Sequence, residues 1–190
     1  EESASDADLL KKAGEGDTKA FGKLAERHMA ALLRLAQGLV GNQADAEDVL
    51  QESLMGAFQG ARRFEGRSAV RTWLGQIVAR QAAAWRRSRR VRKTSPLDAA
   101  VVEKGVAAAT EAVDRREDVM QVLRRLTPEY REVLVLREFG QMSYEEIATA
   151  LALPRGTVES RIFRARGEMR ELLEQSYGKE AGGKEGTGHE

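Results

Sequence analysis

Cysteine is absent from the 190 residues, proline occurs three times and histidine twice. Without cysteine there is no disulfide framework and no thiolate metal site, and the chain suits a reducing compartment, expected to be the cytoplasm. Only His28 lies outside the C-terminal tail, and it reads as a helix-surface residue. Nucleophile–base pairs, phosphate-cradling loops and metal-ligand spacings are missing, so no catalysis, no cofactor and no metal are expected. No apolar run approaches the roughly 18 residues that span a bilayer, so no membrane insertion is expected. A secretory signal is not visible either. Period-two runs of β-branched and aromatic residues are also missing, which argues against a sheet.

What remains is 42% hydrophobic and 32% charged, rich in alanine, leucine, glutamate and arginine. This composition predicts an all-α protein. The formal net charge is only +1, yet it is unevenly placed. Residues 1–60 carry 11 acidic and 6 basic side chains, whereas residues 61–93 carry 11 basic and one acidic. The octamer RRSRRVRK at 86–93 alone holds six cations. Such a block implies an anionic partner, most commonly nucleic acid; the competing reading is a solvated basic helix end.

Four helices are predicted in the first part. A short one covers Ala7 to Ala13 and ends at Gly14-Glu15-Gly16. Asp17 or Thr18 caps the second, which carries Phe21, Leu24, Leu32, Leu33, Leu35 and Leu39 at helical spacing and stops at Gly41-Asn42. Asp45 to Gln59 forms the third, a loop covers Phe64 to Ser68, and Ser68 caps a fourth helix reaching about Arg90. Trp73, Val70, Ile77 and Ala84 share one side of that helix and are its expected core stripe. Residues 94–113 contain Pro96, Gly105 and many small side chains, and read as a flexible linker. Residues 114–176 are helical again, and 177–190, rich in Gly, Glu and Lys, read as a disordered tail. The expected organisation is two small helical domains, 1–93 and 114–176, joined by that linker.

The second block is the more informative. Thr127-Pro128 opens one helix, with Thr127 as cap. Ser143 and Glu146 form a capping box for the next, whose apolar side is Ile147, Ala148 and Leu151. A turn at Ala152-Leu153-Pro154 leads into a long helix. Short helix, tight turn and long helix make a helix-turn-helix candidate, with Ala148 at the crossing and Val158 as anchor. The turn usually holds glycine; Ala152 at positive φ costs on the order of 1 kcal/mol. On the long helix, Val158, Ile162, Ala165, Met169, Leu172 and Leu173 share one side. Gly156, Thr157, Ser160, Phe163, Arg164 and Gly167 lie opposite. A polar face with an exposed phenylalanine and glycines suits a major groove: Arg164 for guanine, Phe163 for a thymine methyl, Arg155, Arg161 and Arg166 for phosphates. A plain amphipathic helix closing a bundle is the alternative.

These residues resemble a known family. SYEEIATALALPRGTVESRIFRAR is similar to the −35-reading segment of bacterial sigma-70 family sigma factors of the extracytoplasmic-function (ECF) group. DAEDVLQES at 45–53, the Phe64, Gly66, Ser68 and RTWL pattern up to residue 74, and the basic helix end match that family's first domain in the same order. The resemblance implies a first domain that binds the clamp coiled coil of core RNA polymerase and opens the −10 element. It implies a second domain that reads the −35 element and touches the polymerase flap. Carried over, Asp45, Asp48, Gln51 and Glu52 would bind polymerase, with a solvated acidic face as the competing reading. Phe64, Arg67 and Ser68 would receive a flipped −10 base, although Phe64 equally reads as a cap on the core. Arg80, Gln81, Arg86, Arg87, Arg89 and Arg90 would follow −10 DNA. Arg155, Gly156, Thr157, Glu159, Ser160, Arg161, Phe163, Arg164 and Arg166 would face −35 DNA. Partners implied are core polymerase, promoter DNA and an anti-sigma protein. Gln81 stands where the family commonly has asparagine, Ala84 where it has aspartate, and Glu159 where it is often basic. Two other functions compete: an autonomous helix-turn-helix regulator, which needs a dimer helix that the sequence does not display, and an enzyme, for which it lacks a site.

Overall fold

The computed structural model describes residues 4–93 and 119–182. The linker predicted at 94–113 and the tail from residue 183 onward lie outside the described residues. Every regular element among the described residues is helical, as the composition predicts.

Ser5 accepts from the Asp8 amide and starts α1, Asp6–Gly14, which buries Leu9, Leu10 and Ala13. Asp17, not Thr18, caps α2, Thr18–Val40, by accepting from the Lys19 and Ala20 amides at 2.9 and 3.0 Å. The helix stops at Gly41, whose φ of 93° is the left-handed conformation that glycine adopts without a Cβ clash. Asn42 then accepts from the Asp45 amide and opens α3, Gln43–Gly60, two residues earlier than predicted. A 3-10 turn, Ala61–Arg63, follows. The fourth helix, α4, spans Val70–Lys93. Ser68 does not cap it: the Trp73 amide bonds to the Ala69 carbonyl, so the first turn is built on Ala69.

In the second part, residues 119–125 form α5, followed by α6, Pro128–Glu138, α7, Tyr144–Leu151, and α8, Arg155–Gly182. Thr127 holds the N-cap position of α6, but its hydroxyl bonds no amide; Pro128 starts the helix through its fixed φ. Ser143 and Glu146 form the predicted capping box. Helix α8 continues through residues 177–182, where irregular chain was expected.

The two parts share one buried cluster running from Leu9 to Ala165. Helix α6 buries four consecutive residues, Val133 to Leu136, which only a helix covered on two sides can do. It packs on α8 within its own part and on α2 of the first. Helix α4 likewise contacts α2, α3 and α7. This explains why the predicted stripe holds only in part: Val70 is buried, as are Thr72, Leu74, Gly75, Val78, Ala79 and Ala82, whereas Trp73, Ile77 and Ala84 are half-buried. The buried arc is centred roughly 150° round the helix from Trp73, because the sequence wheel assumed one core where α4 meets two.

Candidate nucleic-acid and polymerase interface

Helix α3 places Ala46, Val49, Leu50, Ser53 and Ala57 inward, with Leu54 and Phe58 half-buried beside them. Asp48, Gln51 and Glu52 are exposed together. Met55, not anticipated, is 57% exposed on the same side. Its spacing from Asp48 and Glu52, seven and three residues, is the sequence signal that could have found it. Asp45 stands apart: it is half-buried, held by the Asn42 side chain and by Arg89 Nη1 at 2.8 Å. Glu52 accepts from Gln81 Nε2 at 3.1 Å, which ties a predicted polymerase residue to a predicted −10 residue.

The loop at 64–68 divides into two kinds of side chain. The Phe64 ring is half-buried and tilted at 58° against Trp73, with centroids 5.3 Å apart, so it packs on the core. Arg67 is exposed and pairs with Glu65, and Ser68 is half-buried.

The basic end of α4 borders a cleft of about 850 Å³. Arg80, Arg86, Arg87 and Arg89 of α4 line it together with Arg161 and the Ala152-Leu153 turn. Trp85, which sequence reasoning passed over, also lines the cleft, and the Arg89 guanidinium sits 5.0 Å over its ring. Arg86 pairs with Glu132 of α6. Arg80, Arg87 and Arg161 have no ion-pair partner among the described residues. The Arg90 side chain lies outside the described residues. Near the same junction Arg131 donates to the carbonyls of Leu123, Arg124 and Leu126, closing the end of α5. Burial first, then the positive charges of Arg86 and Arg124, pushes the Arg131 guanidinium below its ordinary range.

The turn into α8 has a definite form. Ala152 adopts φ 53° and ψ 47°. The Leu153 amide bonds to the Ala148 carbonyl at 3.0 Å and the Ala152 amide points at Thr149 at 3.4 Å. This is a Schellman ending with alanine in glycine's usual place. Val158, Ile162 and Ala165 are buried as predicted, and Met169, Leu172 and Leu173 are half-buried. On the opposite side Gly156, Ser160, Arg164 and Gly167 are exposed, Thr157 is half-buried and Phe163 is 82% exposed. Arg155 pairs with Glu145 and Glu159, and Arg166 with Glu138. The Glu159 hydrogen bond, then the charges of Glu145 and Glu159, hold Arg155 above its ordinary range, and Glu138 does the same for Arg166. Glu159 thus clasps Arg155 in the absence of DNA.

Comparison with known proteins agrees with this two-part construction. Residues 24–92 match the family described as Sigma-70 region 2, and residues 116–169 match Sigma-70, region 4. The chain is 33% identical over 178 residues to RNA polymerase sigma factor NccH of Alcaligenes xylosoxydans xylosoxydans, covering 90% of this chain and 96% of that one. It is 35% identical over 169 residues to ECF RNA polymerase sigma factor SigM of Mycobacterium tuberculosis, covering 89% and 85%. Among solved structures, CnrH in complex with the cytosolic domain of CnrY superposes with a TM-score of 0.64 at 29% identity, over 90% of this chain and 97% of that one. The sigma factor RpoE in complex with the anti-sigma factor NepR from Bartonella quintana gives 0.66 at 27% identity, over 83% and 98%. An acidic α3 followed by an arginine-rich helix end, a helix-turn-helix with an exposed aromatic, and these matches across nearly the whole chain lead to one conclusion: the chain belongs to the ECF RNA polymerase sigma factors.

Proposed function

We propose that the chain acts as the promoter-selecting subunit of bacterial RNA polymerase in the cytoplasm, without catalysis of its own. The observation that carries this reading is the pairing, in one chain, of an exposed acidic helix face with two separate cationic surfaces. Asp48, Gln51, Glu52 and the newly found Met55 form the polymerase-docking face, a small apolar centre within a charged rim, as interfaces favour. Asp45 supports that face from behind through Arg89. Arg80, Gln81, Arg86, Arg87, Arg89 and Arg90 follow the phosphates of −10 DNA, and Trp85 offers a stacking surface for an unpaired base. Arg67 and Ser68 border the −10 base pocket, and Phe64 serves as its floor through its contact with Trp73. On α8, Arg164 and Phe163 read base edges, Gly156, Thr157 and Ser160 admit the duplex, and Arg155, Arg161 and Arg166 hold phosphates. Glu159 sets the direction of Arg155.

Two of the solved relatives are bound to partner proteins, one of them named an anti-sigma factor. An anti-sigma protein is accordingly part of the proposed partner set. Among the described residues no helix is long and apolar enough to cross a membrane.

Reconstitution with core polymerase tests the reading. The chain is expected to give promoter-dependent transcripts, and Asp48→Arg with Glu52→Arg to abolish co-elution with core while the helical circular dichroism is kept. Arg164→Ala should cost about 1–3 kcal/mol in promoter recognition and relax preference at one −35 base pair. Tight, sequence-specific duplex binding by the free chain, with no effect of core polymerase, would replace this reading with that of an autonomous regulator.

A further inference from the structure

We propose that the end of α1 and the 3-10 turn together form a cationic ridge, Lys11, Lys12, Arg62 and Arg63, that holds the phosphates of the unpaired promoter strand beyond the −10 pocket. The inference rests on the sigma-factor reading above and adds four residues to it. Its basis is the joining of two separate segments, their charge, and their place beside the loop at 64–68.

The two segments are far apart in sequence and meet backbone to backbone. A Cβ placed on Gly14, the last residue of α1, would lie 3.0 Å from the Arg62 Cα, 3.1 Å from its amide nitrogen and 3.2 Å from the Ala61 carbonyl carbon. These are backbone atoms that cannot swing aside, so glycine is what lets the helix end touch the turn. Leu10 and Ala13 of the helix end and Ala61 of the turn are buried, which anchors the contact in the core. Lys11 and Lys12, in the last turn of α1, and Arg62 and Arg63, in the 3-10 turn, are exposed. The Gly14-Glu15-Gly16 break therefore brings two basic pairs to one place on the surface.

The charge there is not balanced locally. Residues 11–15 and 61–67 hold Lys11, Lys12, Arg62, Arg63 and Arg67 against Glu15 and Glu65. Glu65 is taken by Arg67, Asp8 accepts from the Ser5 hydroxyl at 2.6 Å, and Asp17 caps α2. Among the described residues no ion pair holds Lys11, Lys12, Arg62 or Arg63. They share this with Arg80, Arg87 and Arg161, which border the cleft. A run of unpaired cations suits a polymer with one phosphate per nucleotide.

Position selects which polymer. Arg63 directly precedes Phe64, whose ring centroid is 5.3 Å from that of Trp73. A Cβ on Gly60, where the turn begins, would come 3.5 Å from the same indole. The ridge thus lies at the Trp73 end of α4, whereas Arg80 to Arg89 follow roughly 10–24 Å further along that helix. DNA held by those arginines and passing Arg67 and Ser68 has the ridge ahead of it. Lysine and arginine hold phosphates there without reading bases, so the ridge accepts any sequence.

Holoenzyme binding to forked fragments of a promoter transcribed in the reconstitution above tests this. The unpaired non-template strand either ends with the −10 element or runs roughly four nucleotides further, the low end of single-strand site sizes. The unmodified holoenzyme should bind the longer fragment roughly tenfold more tightly, well within what four phosphate contacts supply. With Lys11→Gln, Lys12→Gln, Arg62→Gln and Arg63→Gln together, that preference should vanish, while affinity for the shorter fragment and co-elution with core polymerase are kept. On the longer fragment the slope of log affinity against log salt should fall by about 2–3, because each single-strand contact contributes about 0.7. Arg62→Lys with Arg63→Lys keeps the charge and should keep the preference. A preference that survives the four substitutions overturns the proposal, and so does an equal loss on both fragments. Loss of co-elution overturns it as well, since the ridge would then be a polymerase-facing surface. Should the fourfold variant not fold, Lys11→Gln with Lys12→Gln decides: the slope should fall by about 1–1.5, and an unchanged slope overturns the proposal. Failure of the unmodified holoenzyme to bind either fragment would instead sink the sigma-factor reading, and this inference with it.

Discussion

Replacing Ala152 by glycine isolates the strain in the helix-turn-helix. Ala152 sits at φ 53° and ψ 47°, the left-handed region where a Cβ costs roughly 1–2 kcal/mol. Its methyl is exposed, so deleting it sacrifices little packing. Glycine returns part of the gain, because the unfolded chain then has about 0.5–1 kcal/mol more backbone entropy to lose. The net is a stabilisation of about 0.5–1 kcal/mol, or about 1–4 °C in Tm for a chain of this size. The Schellman bonds from Leu153 and Ala152 survive, since they use only backbone atoms. Thermal and urea unfolding followed at 222 nm measure the change. Ala150→Gly, two residues earlier and inside α7, is the control and should destabilise by about 1 kcal/mol. If Ala152→Gly destabilises as the control does, residue 152 is not left-handed and the turn has another shape.

Arg131→Met removes a half-buried guanidinium from three carbonyls at the end of α5; a loss of about 2–3 kcal/mol in urea unfolding is expected, since carbonyls left without a donor carry the desolvation penalty. Burial raises the Asp6 carboxyl, but the hydrogen bonds and charges of His28 and Arg27 outweigh it and leave the group lowered from 3.8. A depressed carboxylate contributes stability above its unfolded value and loses it as pH falls through the folded one. Asp6→Asn should therefore flatten the acid limb of a stability-versus-pH curve, and an unaltered limb would show that the cluster contributes nothing. Phe163→Ala should leave Tm nearly unchanged, because the ring is 82% exposed and changes at such sites stay within about 0.5 kcal/mol. Its promoter affinity as holoenzyme should fall; a drop in Tm instead would make Phe163 a packing residue.

Much of the architecture was legible because local chemistry decided it. Asp17 and the Ser143–Glu146 box are caps whose partners lie within three residues, and such contacts need no knowledge of the fold. The alternation of Val158, Ile162 and Ala165 against Phe163 and Arg164 was equally plain, since α8 meets the core on one side only. Long-range contacts were where the reading failed. The rotated core face of α4, the four-residue burial in α6 and the Arg86–Glu132 pair all arise because the two parts share a core. No helical wheel reports a second neighbour. Gly38 and Gly75 were visible as letters, but a Cβ at either would crowd Val135 or Met142, about 70 to 100 residues away.

The same contacts explain why so basic a segment belongs to a chain of net charge +1. Of the cations proposed for DNA, Arg67, Arg86, Arg89, Arg155 and Arg166 are each held by a carboxylate of the chain. Arg80, Arg87, Arg161 and Arg164 have no such partner among the described residues, and they supply the attraction that remains. The exposed pairs are weak, about 0–1 kcal/mol each, so a phosphate displaces the carboxylate at little cost. Arg86–Glu132 differs because both side chains are mostly covered, and breaking it strands a partly buried charge. Of these cations Arg86 is therefore the one whose carboxylate a phosphate displaces at the greatest cost.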